Sequence, residues 1–447
     1  MRKFICTGLW LGFTLLPAAV SAAPNIVFII ADDLGWADVG FHGGNAPTPN
    51  LDRLAGEGLE LTQHYVAPVC SPTRTGLMTG RFWSRFGVTT PQNERALPWD
   101  TVTLPRALRS VGYETAICGK WHLGSRPEWG PNHFGFDHSY GSLAGGVGPD
   151  DHHYKKGEFM KTWHRNETLL EETGHATDLI TAEAVKWIGA RTDKPFFLYL
   201  PYTAVHLPVK EPNEWLARVP ASISDPVARE YAACIMHLDA AMGQIVAALD
   251  KAGKRSDTLL VFTSDNGGST AENAGQAYPE DGYAKGKLPG NNAPLRGEKG
   301  QLYEGGIRVP CVVSWPGTLK PGKVDAAVHV CDWLPMLSRL AGYRANKDLK
   351  WDGHDVWPVL TGAEPMPQRL LYWTAPGFKA RAVRQGDFKL IVSAGKGDAP
   401  GKLELFNLAR DPNEEVNLAA DLPDTVATLQ KQLKAVAKAD KDAVARD

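Results

Sequence analysis

A chain of 447 residues, 43% apolar and 22% charged, is long enough for a large core and has an ordinary globular composition. Its 48 Lys and Arg stand against 50 Asp and Glu, which excludes the broad charged field of a nucleic-acid or membrane-surface protein. Any anion has to be gripped by local basic residues. At this length one large and one smaller domain are expected.

Residues 1–22 read as a secretory signal peptide: Arg2 and Lys3, an apolar run from Phe4 to Leu16, then the small residues Val20, Ser21 and Ala22. The run is too short to span a bilayer comfortably, and no further span is expected. The mature protein is therefore expected in the periplasm or outside the cell, free of the membrane once cleaved. It keeps Cys70, Cys118, Cys234, Cys311 and Cys331. Their wide spacing suits neither a metal knuckle nor a dense disulfide framework, and leaves any pairing open.

Asn25 to Ile30 is a continuous β-branched and aromatic run, the pattern of a strand buried on both faces, and it leads into Asp32 and Asp33. Open α/β sheets place ligands at that end of their central strands. Thr48 and Pro49 start a helix through Leu51 and Leu54. The stretch from Val69 to Arg81 predicts a second helix, with Pro72 in its first turn and Cys70 at its N-terminus. Free N–H groups and the helix dipole favour an anion there, and Arg74 lies one turn further on. A short strand within 112–118 then delivers Lys120 and His122.

Residues 125–165 are rich in Gly, His, Asp and aromatic side chains, as in a surface excursion or the wall of a binding cleft. His152 and His153 have no second cluster at metal-ligand spacing. Asn166, Glu167 and Thr168 form a glycosylation acceptor that matters only in a eukaryotic host. A helix over 175–190 precedes an apolar strand over 195–200, whose exit carries His206. A long helix opens at Asp225 and Pro226, with one apolar face at 231, 235, 238, 242, 245 and 249, and Gly253 is its stop. A buried strand over 258–264 ends in Asp265 and Asn266. The long Gly/Asn/Pro-rich segment after it has the character of a lid or binding loop, and carries Lys299 towards a strand at 307–315. Beyond residue 345 short strands at 370–373, 380–384 and 388–392, with a helix near 424–438, predict a smaller α+β domain. The expected division is 23–345 for the catalytic domain and 346–447 for the small one.

Four strands thus end in polar sets: Asp32 with Asp33, Lys120 with His122, His206, and Asp265 with Asn266. If they are neighbours in one sheet, all four sets meet at one rim. Three carboxylates and an amide oxygen form a hard, all-oxygen nest that favours calcium, with magnesium as the lesser choice.

The run Cys-x-Pro-x-Arg-x-x-Leu-x-Thr-Gly from Cys70 to Gly80 resembles the signature of the type I sulfatases. Gly112 to His122 is similar to that family's second signature, with Cys118 at a position more often aliphatic or small. Thr73 stands where serine is more usual. The resemblance implies an α/β fold of the alkaline-phosphatase superfamily: a large mixed β-sheet flanked by helices, plus a smaller C-terminal α+β domain with an antiparallel sheet. It also implies that a maturation enzyme reading mainly Cys, Pro and Arg converts Cys70 to formylglycine. By the same resemblance Asp32, Asp33, Asp265 and Asn266 bind Ca2+ together with residue 70, and Arg74, Lys120, His122, His206 and Lys299 surround the sulfate. The implied activity is hydrolysis of sulfate esters, with His206 as general acid towards the leaving alcohol and His122 as base in regenerating the aldehyde. A sulfated glycan is the expected substrate. A broad arylsulfatase, a phosphodiester or phosphonate monoester hydrolase, and a non-catalytic binder of sulfated glycans are the alternatives on the same residues.

Overall fold

The computed structural model describes residues 23–273, 277–280, 282–395 and 401–446. The expected signal peptide lies outside them. Ten strands form one mixed sheet: β1 (Asn25–Ala31), β2 (Leu59–Tyr65), β3 (Glu114–Cys118), β4 (His138–Ser142), β5 (Trp163–Arg165), β6 (Thr168–Leu169), β7 (Phe196–Pro201), β8 (Thr258–Ser264), β9 (Cys311–Ser314) and β10 (Gly322–His329). Their spatial order is β10-β2-β9-β8-β1-β7-β3-β4-β5-β6. From β8 to β4 every pairing is parallel, while β9 runs antiparallel to both of its neighbours.

The centre of the sheet is covered on both faces, which is why β1 and β8 read as unbroken apolar runs. Ile26, Phe28 and Ile30 face one apolar cluster, and the alternate residues Val27 and Ile29 face another. The second cluster takes in the helices Ala176–Gly189 and Pro226–Lys251. The longer helix is apolar enough by length and composition to cross a membrane. Here Tyr231, Ile235, Leu238, Met242, Ile245 and Leu249 bury its expected face against the sheet layer, and Gly253 turns the chain at φ +65°.

The first cluster runs without a break into a four-stranded antiparallel sheet made of β11 (Leu370–Thr374), β12 (Ala380–Gln385), β13 (Phe388–Ser393) and β14 (Lys402–Asn407). Trp373, Leu390 and Phe406 share that cluster with Phe28, Trp333 and Val66. Sequence reading had three of these four strands and the closing helix, Pro423–Val436. It missed β14, where Lys402 and Glu404 interrupt the apolar signal. The five cysteines among the described residues are all buried thiols.

Candidate active site

β8, β1, β7 and β3 are consecutive in the sheet and parallel, so their carboxyl ends open onto one rim. The four polar sets expected at strand ends therefore lie side by side. Backbone bonds beyond the strands lock them in place: Asp32 N–H donates to the Ala204 carbonyl (2.8 Å), Val205 N–H to that of Asp32 (2.8 Å), Asp265 N–H to that of Ala31 (3.0 Å) and Lys120 N–H to that of Pro201 (2.7 Å). Asp33 and His122 turn out of their strands in the left-handed region, at φ +64° and +58°. Such conformations cost about 1–3 kcal/mol and persist where the surroundings enforce them. Gly119 makes the delivery of Lys120 possible. At φ +131° it lies so close to β7 that a β-carbon would be 2.0 Å from the Pro201 oxygen.

The helix Cys70–Thr79 lies wholly buried against this rim and is closed by Gly80 in the left-handed conformation. Thr73 does more than replace a serine. Its hydroxyl donates to the Asp265 carbonyl (2.6 Å) and accepts from the Ala67 N–H (2.8 Å), tying the helix to the end of β8. The Ser71 hydroxyl donates to the His122 carbonyl (2.8 Å) and accepts from the Gln92 N–H (2.9 Å), a link sequence reading did not single out.

Three ion pairs organise the centre, two of them fully buried and the Lys299 pair partly so: Lys120 Nζ to Asp32 Oδ2 (2.6 Å), Lys299 Nζ to Asp33 Oδ2 (2.7 Å) and Arg74 Nη2 to Asp265 Oδ2 (2.8 Å). Arg74 also donates to the Lys120 carbonyl (2.7 Å), so its guanidinium holds the rim together. Burial alone would push Asp32 and Asp33 up, but Lys120 and Lys299 override it and hold both below the usual carboxylate range. Asp265 is raised, by burial and by Asp32 beside it. Burial pushes the Cys70 thiol up against the pull of Lys120 and Lys299, so as a cysteine it is no thiolate nucleophile.

Among the described residues Asp32 Oδ1 and Asn266 Oδ1 are buried without hydrogen-bond partners, and ligand atoms of Asp32, Cys70 and Asp265 lie within 4.8 Å of one another. Orphaned oxygens in a buried acidic cluster are what a hard cation satisfies, so the residues present fit a metal ion. His122 is buried with neither ring nitrogen partnered among the described residues, and burial and Lys120 push its pKa well down. Burial and Lys299 lower that of His206, whose Nε2 lies 3.7 Å from Asp33 Oδ2.

The expected wall at 125–165 closes over both histidines. A β-carbon on Gly145 would lie 3.1 Å from the His122 ring, and one on Gly146 2.3 Å from His206 Nδ1. His152 and His153 stay outside the centre. His152 stacks on Trp163 (4.5 Å) and bonds the Gly174 carbonyl (2.8 Å), while His153 pairs with Asp151 (3.4 Å).

Residues 24–343 match the family model described as Sulfatase, and residues 297–441 match that of the N-sulphoglucosamine sulphohydrolase C-terminal region. The chain is similar to arylsulfatase J of Mus musculus, 32% identical over 93% of this chain and 76% of the relative. It is likewise similar to N-acetylgalactosamine-6-sulfatase of Mus musculus, 32% identical over 84% of this chain and 73% of the relative. Among solved structures it is similar to Ps i-CgsB in complex with k-i-k-neocarrahexaose. The TM-score is 0.83 and the identity 30%, over 95% of both chains.

Proposed function

The chain belongs to the sulfatase family of the alkaline-phosphatase superfamily and is a sulfuric ester hydrolase, and on that premise we propose that it is a secreted, calcium-dependent sulfatase of a sulfated carbohydrate, using formylglycine made from Cys70. The observation that carries this reading is the set of three carboxylate–cation pairs around residue 70, with one carboxyl and one amide oxygen left free beside it among the described residues. The set is neutral by itself, so a divalent ion leaves it positive and ready for a sulfate ester.

Asp32, Asp33, Asp265 and Asn266 would hold the ion together with residue 70. Several carboxylates and little room for water suit the larger, more flexible shell of calcium over magnesium. When bound, the ion supplies positive charge against the sulfate oxygens. Matured to formylglycine, residue 70 supplies a geminal diol, one hydroxyl to attack sulfur and the other to let sulfate depart.

The chain's own residues do the rest. Lys120 and Lys299 flank residue 70 and face the equatorial oxygens, while Arg74 fixes Asp265 and the Lys120 backbone. His206 donates a proton to the leaving ester oxygen. The approach of an anionic ester counters Lys299 and raises the proton affinity of His206, so the acid forms when substrate is bound. His122, neutral and unpartnered, takes up the proton released as sulfate leaves.

A carbohydrate substrate is supported by a relative named for N-acetylgalactosamine 6-sulfate chemistry and by a neighbour solved with neocarrahexaose. Sulfate release from a panel of sulfated glycans, with Cys70→Ala and a matched phosphate diester alongside, tests the reading. Release from one glycan, abolished in the variant, is expected. Turnover of the phosphate diester alone refutes it.

A further inference from the structure

Every cation at the centre of the site has a carboxylate, but one beside it does not. Lys155 is half-buried, and among the described residues no carboxylate pairs with it. Its Nζ lies 5.7 Å from the centre of the Tyr154 ring. That ring belongs to the wall of the site: a β-carbon on Gly145 would lie 3.1 Å from Tyr154 Cε2 and from the His122 ring alike. Tyr278 packs edge-on against Tyr154 at 6.3 Å and donates from its hydroxyl to the Gly146 carbonyl (3.1 Å).

The nearby acids are engaged elsewhere. Asp150 and Glu280 both pair with Lys210, Asp151 with His153, and Glu158 with Arg126. The backbone is fixed on both sides, by Tyr154 N–H to the Met160 carbonyl (2.8 Å) and Lys156 N–H to that of Ala277 (2.7 Å). Burial and the charges of Lys299 and Lys120 push the Lys155 ammonium down. A half-buried cation beside the site, with no carboxylate of its own among the described residues, is relieved when an anion arrives.

We propose that Lys155, beside the aromatic face of Tyr154, forms a subsite for a second anionic group carried by the substrate next to the scissile sulfate. The group is a sulfate or a carboxylate, since both accept from an ammonium in the same way. Tyr154 offers its ring to the sugar that bears it. This rests on the sulfatase reading above and narrows it to substrates with two negative charges close together.

The test compares wild type, Lys155→Ala and Lys155→Arg on three esters: nitrophenyl sulfate, a disulfated sugar, and a monosulfated sugar bearing a uronate carboxylate. Lys155→Ala is expected to lower kcat/KM about tenfold through KM on at least one doubly anionic sugar, the loss of one charge-assisted hydrogen bond. Turnover of nitrophenyl sulfate stays within about twofold, and Lys155→Arg restores most of the difference. The sugar that suffers identifies the anion as sulfate or carboxylate. An equal loss on all three esters makes Lys155 part of the general sulfate field and overturns the subsite. No change on any of them overturns it as well. A wild type with residue 70 matured that hydrolyses none of the three overturns the sulfatase reading and the subsite together.

Discussion

Lys389 is a buried cation shared by two buried carboxylates, and its removal should cost the fold dearly. It stands on β13 in the small sheet, donates to Glu304 Oε1 (2.8 Å) and forms an ion pair with Glu414 Oε1 (2.9 Å), with all three side chains inaccessible to solvent. Lys389→Met keeps the stem and deletes the charge, leaving two buried carboxylates a short distance apart. Breaking a buried pair from one side costs about 3–5 kcal/mol, a large part of the roughly 5–15 kcal/mol that holds a native protein together. Some relief comes from the bonds that remain, Tyr65 Oη to Glu304 Oε2 (2.6 Å) and Glu304 N–H to Glu414 Oε2 (2.6 Å). The loss should therefore sit near 3 kcal/mol. In the wild type burial would push Glu304 up, but Lys389 overrides it and holds the carboxyl below its ordinary range. Glu414 is already raised in the wild type, by burial and by Glu304 beside it. Without the lysine burial lifts Glu304 as well, against Arg308 at 3.7 Å, so the variant's stability falls more steeply as pH rises through these groups. Urea unfolding of both proteins at mildly acidic and mildly alkaline pH measures this, and the gap should widen on the alkaline side. Adding Glu304→Gln to Lys389→Met should recover part of it. A gap under about 1 kcal/mol, or one that ignores pH, refutes the account. The lesion also touches the site, because Gly267, next to Asn266, donates its N–H to Gly306 of the short helix that Glu304 opens (3.1 Å).

His237 is bonded by Glu211 Oε2 (2.8 Å) and Asp178 Oδ1 (3.0 Å), which overcome burial and raise its pKa from 6.5 to about 9. A raised pKa stabilises fully below the unfolded value, so about 2–3 kcal/mol should be lost between pH 6.5 and about 9, and His237→Gln should flatten that slope in denaturant titrations. Gly119→Ala should lower sulfate release at least about tenfold, because the new methyl meets the Pro201 carbonyl and displaces Lys120. A variant of wild-type activity sinks that account. Calcium added to chelator-stripped protein should raise its stability by about 2.7 kcal/mol at a hundred times the dissociation constant, read as a melting shift, with magnesium giving less. Asp32→Asn should shrink the shift. No response to either ion contradicts an oxygen nest built for a cation.

Strand ends were legible because each is a local signal: an apolar run long enough to cross a buried sheet, then abrupt polarity. What the sequence could not state was strand order, since the pairing of β1 with both β7 and β8 depends on crossovers far apart in the chain. The ion pairs were hidden for the same reason, Arg74 lying 191 residues from Asp265 and Lys299 266 from Asp33. Thr73 looked like a minor departure from a motif until its hydroxyl was found on the Asp265 carbonyl. Lys155 carries no sequence signal, because its distinguishing property is a partner it lacks. β14 escaped since its apolar residues share a strand with Lys402 and Glu404, which pair with each other at 2.8 Å, Glu404 being buried beneath the Tyr303 hydroxyl (2.8 Å).

The charge arrangement explains why so many ionic groups can be buried together. Each of Asp32, Asp33 and Asp265 gives one oxygen to a cation, and each cation comes from a different element: Lys120 from the end of β3, Lys299 from the long loop, Arg74 from the helix behind Cys70. Pairing within the site offsets the desolvation that would otherwise neutralise these groups. It also leaves Asp32 Oδ1, Asn266 Oδ1 and both ring nitrogens of His122 without partners among the described residues. A site of that kind is fixed in geometry and balanced in charge yet unsatisfied in hydrogen bonding, and it gains most from an ion and an anionic ester arriving together. Lys155 extends the same logic outward, as a cation held in place whose counter-charge has to come from the substrate.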